Sequence, residues 1–327
     1  MADVVTFGET MVRLSPPDHR RLEQTNLLDV NIGGAEWNVA VDLSRLGISA
    51  AWVSRLTDNA LGWMIRNKAR EQEVDTSHIV WTKDDRNGIY FVEFGATPRP
   101  SSVLYDRSHT AISQVKPGEI NWEEILKGAK WFHTSGITPA LSPGAAQVIA
   151  EALQAAKKAG CKVSYDLNYR ARLWTEEEAR KCQEPLMEHI DVLFSTEEDT
   201  RKVLGITGKD YREVAQKLAE KFKFEVVCIT LREDISVLRN RWTAIAYSAG
   251  KIYDDRTYDV EIVDRVGAGD SYTAGFIYGY LTGDVAKGVK YGNAFSALKH
   301  STPGDANWAT LKEVENLLKG GALRISR

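Results

Sequence analysis

The chain has 327 residues, 43% of them hydrophobic, which is long enough to bury a large α/β core. Lys plus Arg number 42 and Asp plus Glu 45, a net charge of −3 with no long basic block, so the footprint of a nucleic-acid binder is missing. No run is apolar enough to span a bilayer, and the start, MADVVTFGET, lacks the basic and apolar regions of a signal peptide.

Cys161, Cys182 and Cys228 are widely spaced and form no CxxC pair, and the six histidines form no HExxH. A disulfide framework or a zinc hydrolase is therefore not expected. Reduced thiols in a cytoplasmic protein with small-molecule partners are the expectation.

In chain order, Val4–Phe7, Ala51–Ser54, Trp131–Thr134, Lys162–Asp166, Val192–Phe194 and Val226–Thr230 are short apolar runs that read as buried strands. Helical patterns separate them. Residues 35–46 place Val39, Leu43 and Leu46 on one face and stop at Gly47. Residues 143–159 begin with Ser142 as cap and Pro143 in the first turn, and stop at Gly160. Thr175 with Glu178 spells a capping box. Repeated strand–helix units predict a mainly parallel sheet with helices on both faces. Residues 12–32 and 88–113 break that rhythm with strand-like material, and read as a small β appendage to a single domain over residues 1–327. The part after Gly267 is mainly helical in pattern.

Two segments carry candidate chemistry. In VEIVDRVGAGDSYTAGFI, residues 260–277, a strand ending near Asp264 leads into Gly267-Ala268-Gly269-Asp270 and a helix. Glycines at a helix start let backbone N–H groups approach an anion, and the helix dipole favours it. A carboxylate beside an anion site is repulsive unless it has another task, such as taking a proton from an attacking hydroxyl. The same four residues also make an ordinary strand-to-helix turn. A dinucleotide fingerprint fails because Tyr272 occupies the third glycine position. A Walker A loop fails because Gly205, Gly208, Lys209 and Asp210 have the wrong spacing and lack a final Ser or Thr. The second segment is Gly33-Gly34-Ala35-Glu36-Trp37-Asn38, where paired glycines open a helix and Asn38 offers a donor and an acceptor to a hydroxylated ligand.

Together, the GG-x-x-x-N-x-A and D-x-x-GAGD boxes resemble the two signatures of the ribokinase-like (PfkB) carbohydrate kinases. The phrases Gly33–Glu36, Val103–Arg107 and Asp166–Arg170 are most similar to the 2-keto-3-deoxygluconate kinases of that family. The resemblance implies a ribokinase-like fold with a β lid over the sugar, Asp270 as catalytic base, and stabilisation of the transferring phosphoryl group by the N–H groups of Gly267, Ala268 and Gly269. It implies a sugar-acid site of Gly33, Gly34, Asn38, Tyr90, Tyr105, Arg107, Arg170 and Asp305. It also implies nucleotide contacts from Asn168, Thr196, Thr230, Arg232, Gly267, Gly269 and Asn293. Two arginines suit a carboxylate substrate through their forked donors. Arg107 alone could equally be a surface residue, and Pro303-Gly304-Asp305 alone a turn. ATP and Mg2+ are the implied cofactors.

The chain departs from the family pattern in three places. The family's N-x-x-E reads Thr196-Glu197-Glu198-Asp199, where Thr196 and Asp199 can cap a helix, so magnesium is expected on ATP phosphates and water with Asp199 reaching it at most through water. Arg232 and Ile235 replace glycines in Thr230-Leu231-Arg232-Glu233-Asp234-Ile235. Arg265 and Val266 replace threonines after the loop aspartate, which leaves a monovalent cation open. Alternatives are a kinase for a neutral sugar or nucleoside and a non-catalytic sugar- or nucleotide-binding regulator. A homo-oligomer joined through the β lid is a further expectation.

Overall fold

The computed structural model describes residues 2–321. Among them, nine strands form the main sheet. From one edge the order is Lys251–Tyr253, Arg239–Ser248, Val226–Ser236, Val192–Ser195, Lys162–Asp166, Trp131–Ser135, Val4–Phe7 and Ala50–Val53, with Tyr258–Glu261 also pairing to Arg239–Ser248. From Val226–Ser236 to Ala50–Val53 every pairing is parallel. All six apolar runs read as strands are strands here, with ends shifted by a residue or so, except one.

That exception is the run read as Val226–Thr230. It continues to Ser236 and folds back on Arg239–Ser248 as an antiparallel hairpin. Its outer half, Glu233–Ser236, is exposed and charged, so it has no apolar alternation to announce it. Likewise, the strand expected to end near Asp264 stops at Glu261.

The parallel strands are apolar throughout because both of their faces are covered. Val4, Trp131, Val192 and Val226 point into a core with Val39 and Leu43 of the helix Ala35–Arg45 and with Phe276 and Phe295 of the C-terminal helices. Their neighbours Val5, Phe132, Leu193 and Val227 point the other way, onto Val148 and Leu153 of the helix Pro143–Lys158 and Leu218 of Tyr211–Phe222. Each such side chain contributes roughly 1.5–3 kcal/mol through burial. The helix starts match their sequence signals: the Ala145 N–H donates to the Ser142 hydroxyl, Thr175 and Glu178 exchange bonds, and the Asp199 N–H donates to the Thr196 hydroxyl.

The two stretches that broke the rhythm form one small four-stranded sheet. Met11–Ser15 lies between Asp29–Gly33, antiparallel, and Gly88–Glu93, parallel, and Ser102–Asp106 closes the far edge. The register aligns Asn31, Arg13, Tyr90 and Tyr105 in one row on one face. On the other face it aligns Val30, Leu14, Phe91 and Leu104, of which Val30 is 52% and Leu104 57% exposed.

Candidate active site

A cavity of about 490 Å³ opens where the C-terminal ends of the parallel strands meet the small sheet and the turn before the helix Ala268–Leu281. Strand ends contribute Asp166, Ser195 and Thr230; the small sheet and its flanks contribute Gly33, Tyr90, Tyr105 and Arg107; the turn contributes Gly267 to Asp270. Ligand sites of open α/β sheets fall at such strand ends.

At the turn, Gly267 has φ 83°, the left-handed region that favours glycine, and a Cβ there would lie 1.9 Å from the Asp305 carbonyl oxygen. Glycine is therefore required twice over, by conformation and by space. The N–H groups of Gly267 and Gly269 are given to no protein acceptor, whereas that of Ala268 donates to the Arg265 carbonyl at 3.2 Å. The structure thus corrects the expectation of three free donors to two at these positions. Tightening of the first helical turn is what occupies the third.

Asp270 is partly buried, and burial pushes its carboxyl up to about 6. The Asn38 amide opposes this by donating to Oδ2 at 2.6 Å. Asn38 was read as a ligand for a substrate hydroxyl; in the structure it lines the cavity and its donor is spent on Asp270. Its own oxygen accepts from the Gly34 N–H at 3.4 Å, so the two glycine-opened helices meet through this one side chain.

At the opposite wall, Tyr90 and Tyr105 stack with ring centroids 5.8 Å apart, and the Tyr90 hydroxyl donates to Asp305. A Cβ on Gly33 would fall 2.2 Å from that hydroxyl and 2.3 Å from Asp305, which is why the chain needs glycine there. Arg107 lies over the Tyr105 ring and pairs with Glu9, a nearly buried carboxylate that also accepts from Thr110 at 2.9 Å. The Arg107 Nε is buried without a partner, a donor left over for a ligand. Arg170 lines the same cavity and bonds only its neighbour's carbonyl, that of Tyr169, at 3.1 Å.

Asp166 and Asp199 also line the cavity, and both carboxyls are raised, by burial first; for Asp166 the charge of Asp199 is the next cause. Among the described residues no group of three His, Cys, Asp or Glu side chains is arranged to hold a metal. Asn168, Thr196 and Arg232 line the cavity, and Arg232 leans on Asp234 at 3.2 Å. Asn293 does not line it. It is fully buried on the helix Val285–Lys299, with Nδ2 on the Ala244 carbonyl at 3.4 Å, so the nucleotide contact expected of it is corrected.

Sequence reasoning missed four contributors. Glu9 and Arg13 sit on or beside a strand too short to show its partners. Asp166 was noted only as part of a phrase, and Arg265 only as a replaced threonine. An arginine inside an otherwise apolar buried strand, as at Arg13, is the one local signal that could have been used.

A glycine-opened helix N-terminus with an adjacent carboxylate, at the strand ends of an α/β sheet, is the arrangement of a phosphoryl-transfer enzyme. Residues 1–311 match the sequence profile of the pfkB family carbohydrate kinases, and the chain belongs to that family. It is 41% identical over 327 residues to the 2-dehydro-3-deoxygalactonokinase of Haloferax volcanii, covering all of this chain and 99% of that protein. The 5-dehydro-2-deoxygluconokinase of Bacillus licheniformis is 29% identical, with 97% of this chain and 95% of that protein covered. Among solved structures, the 2-dehydro-3-deoxygluconokinase of Thermotoga maritima superposes with a TM-score of 0.95 at 46% identity, covering 98% of this chain and all of that one. Among the described residues no helix is long and apolar enough to cross a membrane.

Proposed function

We propose that the chain transfers the γ-phosphoryl group of ATP to a hydroxyl of 2-keto-3-deoxygluconate (2-dehydro-3-deoxygluconate), its galactonate epimer or a closely related sugar acid. The observation that carries this reading is one cavity with a raised carboxylate, Asp270, at a helix N-terminus on one side and two arginines, Arg107 and Arg170, on its walls. The full-length likeness to two kinases named for 2-dehydro-3-deoxy sugar acids supports the choice of acceptor.

In this reading, the acceptor hydroxyl gives its proton to Asp270 as its oxygen forms the bond to the γ-phosphorus. The bond from that phosphorus to the ADP oxygen breaks, and the proton later leaves Asp270 for solvent. With a carboxyl near 6, Asp270 is mostly ionised at neutral pH yet basic enough to accept the proton. The free N–H groups of Gly267 and Gly269 and the helix dipole stabilise the charge that spreads over the phosphoryl oxygens. Asn38 holds the base in line. Arg107, fixed by Glu9, presents Nε to the substrate carboxylate, with Arg170 nearby. A divalent metal bound with the nucleotide would neutralise phosphate charge. Asp199 and Asp166, which line the cavity, are the residues that would hold it, through its water shell.

The small sheet is the lid of one α/β domain in this reading, closing over the sugar and excluding water. The row Val30, Leu14, Phe91 and Leu104 on its outer face, exposed at Val30 and Leu104 and half-buried between them, fits a second copy of the chain. Leu104→Glu should then lower the mass measured by sedimentation; an unchanged mass removes the lid from the interface. Three unpaired cysteines and the need for ATP suit the cytoplasm.

The deciding assay is ATP- and magnesium-dependent phosphorylation of 2-keto-3-deoxygluconate, its galactonate epimer, fructose, ribose and adenosine. Preference for the keto-deoxy acids by tenfold or more in kcat/KM is expected. A neutral acceptor as best substrate would discard the carboxylate site, and tight binding without product would favour a regulator.

A further inference from the structure

We infer that Arg13 is a positioning residue that ties the small sheet to the turn carrying the catalytic loop, by forking between two carboxylates on either side of that turn. This rests on the kinase reading above. Arg13 lies in the strand Met11–Ser15 and is 1% exposed. Nη1 donates to Asp305 Oδ1 at 2.7 Å, Nη2 to Asp264 Oδ2 at 2.6 Å, and Nε to Ser15 Oγ at 3.1 Å. The guanidinium carbon lies 5.2 Å from the centre of the Phe94 ring. All three donor nitrogens are engaged, so the group has one orientation.

What each carboxylate does next gives the fork its consequence. Asp264 accepts on its other oxygen from the Val266 N–H at 3.0 Å, the residue before Gly267, and shares Oδ2 with the Gly304 N–H at 3.0 Å. Asp305 takes the Tyr90 hydroxyl on its second oxygen, and its carbonyl fills the space beside Gly267 where a Cβ would stand. A shift of the strand bearing Arg13 therefore reaches the start of the turn by two routes, at Val266 and at Gly267. A shift of the turn is likewise felt at Tyr90 and the sugar wall.

Charge follows the same path. Burial disfavours the Arg13 cation, but Asp305 and Asp264 more than offset it and leave the group firmly protonated. Lys299, fully buried with Nζ 3.2 Å from the carbonyl oxygens of Asp264 and Thr302, is the second cation behind the turn. Two buried carboxylates near an anionic acceptor and a polyphosphate repel both unless they are neutralised from behind, which Arg13 and Lys299 do. Lysine at position 13 would keep a positive charge but not the planar fork whose separate nitrogens reach Asp305, Asp264 and Ser15 at once.

The test compares Arg13→Lys and the milder Ser15→Ala, which frees only Nε, with the unaltered protein. Amide hydrogen exchange at Val266 and Ala268, whose N–H groups are bonded to Asp264 and to the Arg265 carbonyl, reads the coupling without turnover. Exchange about tenfold faster in R13K and two- to threefold faster in S15A is expected, with Lys162–Asp166 unchanged. In turnover, R13K should lose about 30- to 100-fold in kcat, the scale of a misplaced reacting group. The sugar-acid and ATP KM values should move less than that. Wild-type protection of Val266 and Ala268 in both variants, or wild-type kcat in R13K, overturns the inference. Should the unaltered protein phosphorylate none of the sugar acids, the proposed substrate fails while the exchange arm still decides the role of Arg13.

Discussion

The two walls of the cavity are built on different plans. The wall proposed to bind the phosphoryl group comes from one continuous stretch, Arg265 to Asp270, and offers mainly backbone: a left-handed glycine, two free N–H groups and a helix start. The wall proposed to take the acceptor comes from side chains of the small sheet and its flank, Tyr90, Tyr105 and Arg107, with Arg13 buried behind them and Glu9 and Asp305 arriving from opposite ends of the chain. Binding a phosphoryl group is a generic task that backbone dipoles perform for any nucleotide. Choosing one acceptor requires particular side chains at particular places, and these can change without disturbing the turn.

That contrast can be broken most forcefully at the base. Asp270→Asn keeps the shape and the Asn38 neighbour but removes the proton acceptor, so kcat should fall by about 10²- to 10⁴-fold while sugar binding stays within a few-fold. In the unaltered enzyme kcat should decline as pH drops through about 6, because Asp270 becomes protonated. Normal turnover by the Asn variant would show that the phosphoryl wall works without a base.

A smaller effect tests whether the acceptor wall reads charge. Arg107→Ala removes a charged donor and leaves Glu9 unpaired, and should raise the KM for a sugar acid about 10- to 100-fold, the scale of a lost charge-assisted hydrogen bond. A neutral analogue of the same sugar should lose much less. Equal losses for the two would mean that Arg107 supports the wall without recognising the carboxylate.

The mildest prediction concerns what underlies both walls. Glu36, fully buried two residues before Asn38, has its carboxyl pushed up to about 7 from 4.5 by burial. Because the folded value is the higher, the associated stability is complete below pH 4.5 and is lost as pH rises to about 7, an amount on the order of 3 kcal/mol. Glu36→Gln should flatten this dependence in chemical denaturation at pH 5 and pH 8. A Gln variant with the slope of the unaltered protein would show that Glu36 does not titrate on folding.

The parallel strands were legible in the sequence because a strand covered on both faces is apolar at every position, as Val192–Ser195 and Val226–Ile229 are. The helix starts at Ser142, Thr175 and Thr196 were legible because a cap is a contract between residues three apart. Gly267–Asp270 stood out for the same local reason. The hairpin beyond Thr230 did not, since its exposed charged strand looks like a loop until its antiparallel partner is known. Asn293 misled because its helix has polar residues on buried and exposed faces alike, and only packing shows that it faces Ala244.

The sequence by itself therefore determined the parallel strands, several of their covering helices and the glycine turn before Asp270, all set by contacts within a few residues or by the period of burial. Tertiary structure alone decided that Arg13 meets Asp264 and Asp305 across 251 and 292 positions, that Arg107 is held by Glu9, and that Asn38 serves the base. Those pairings depend on strand register and on which buried charges must find one another, and no short window of sequence contains both partners.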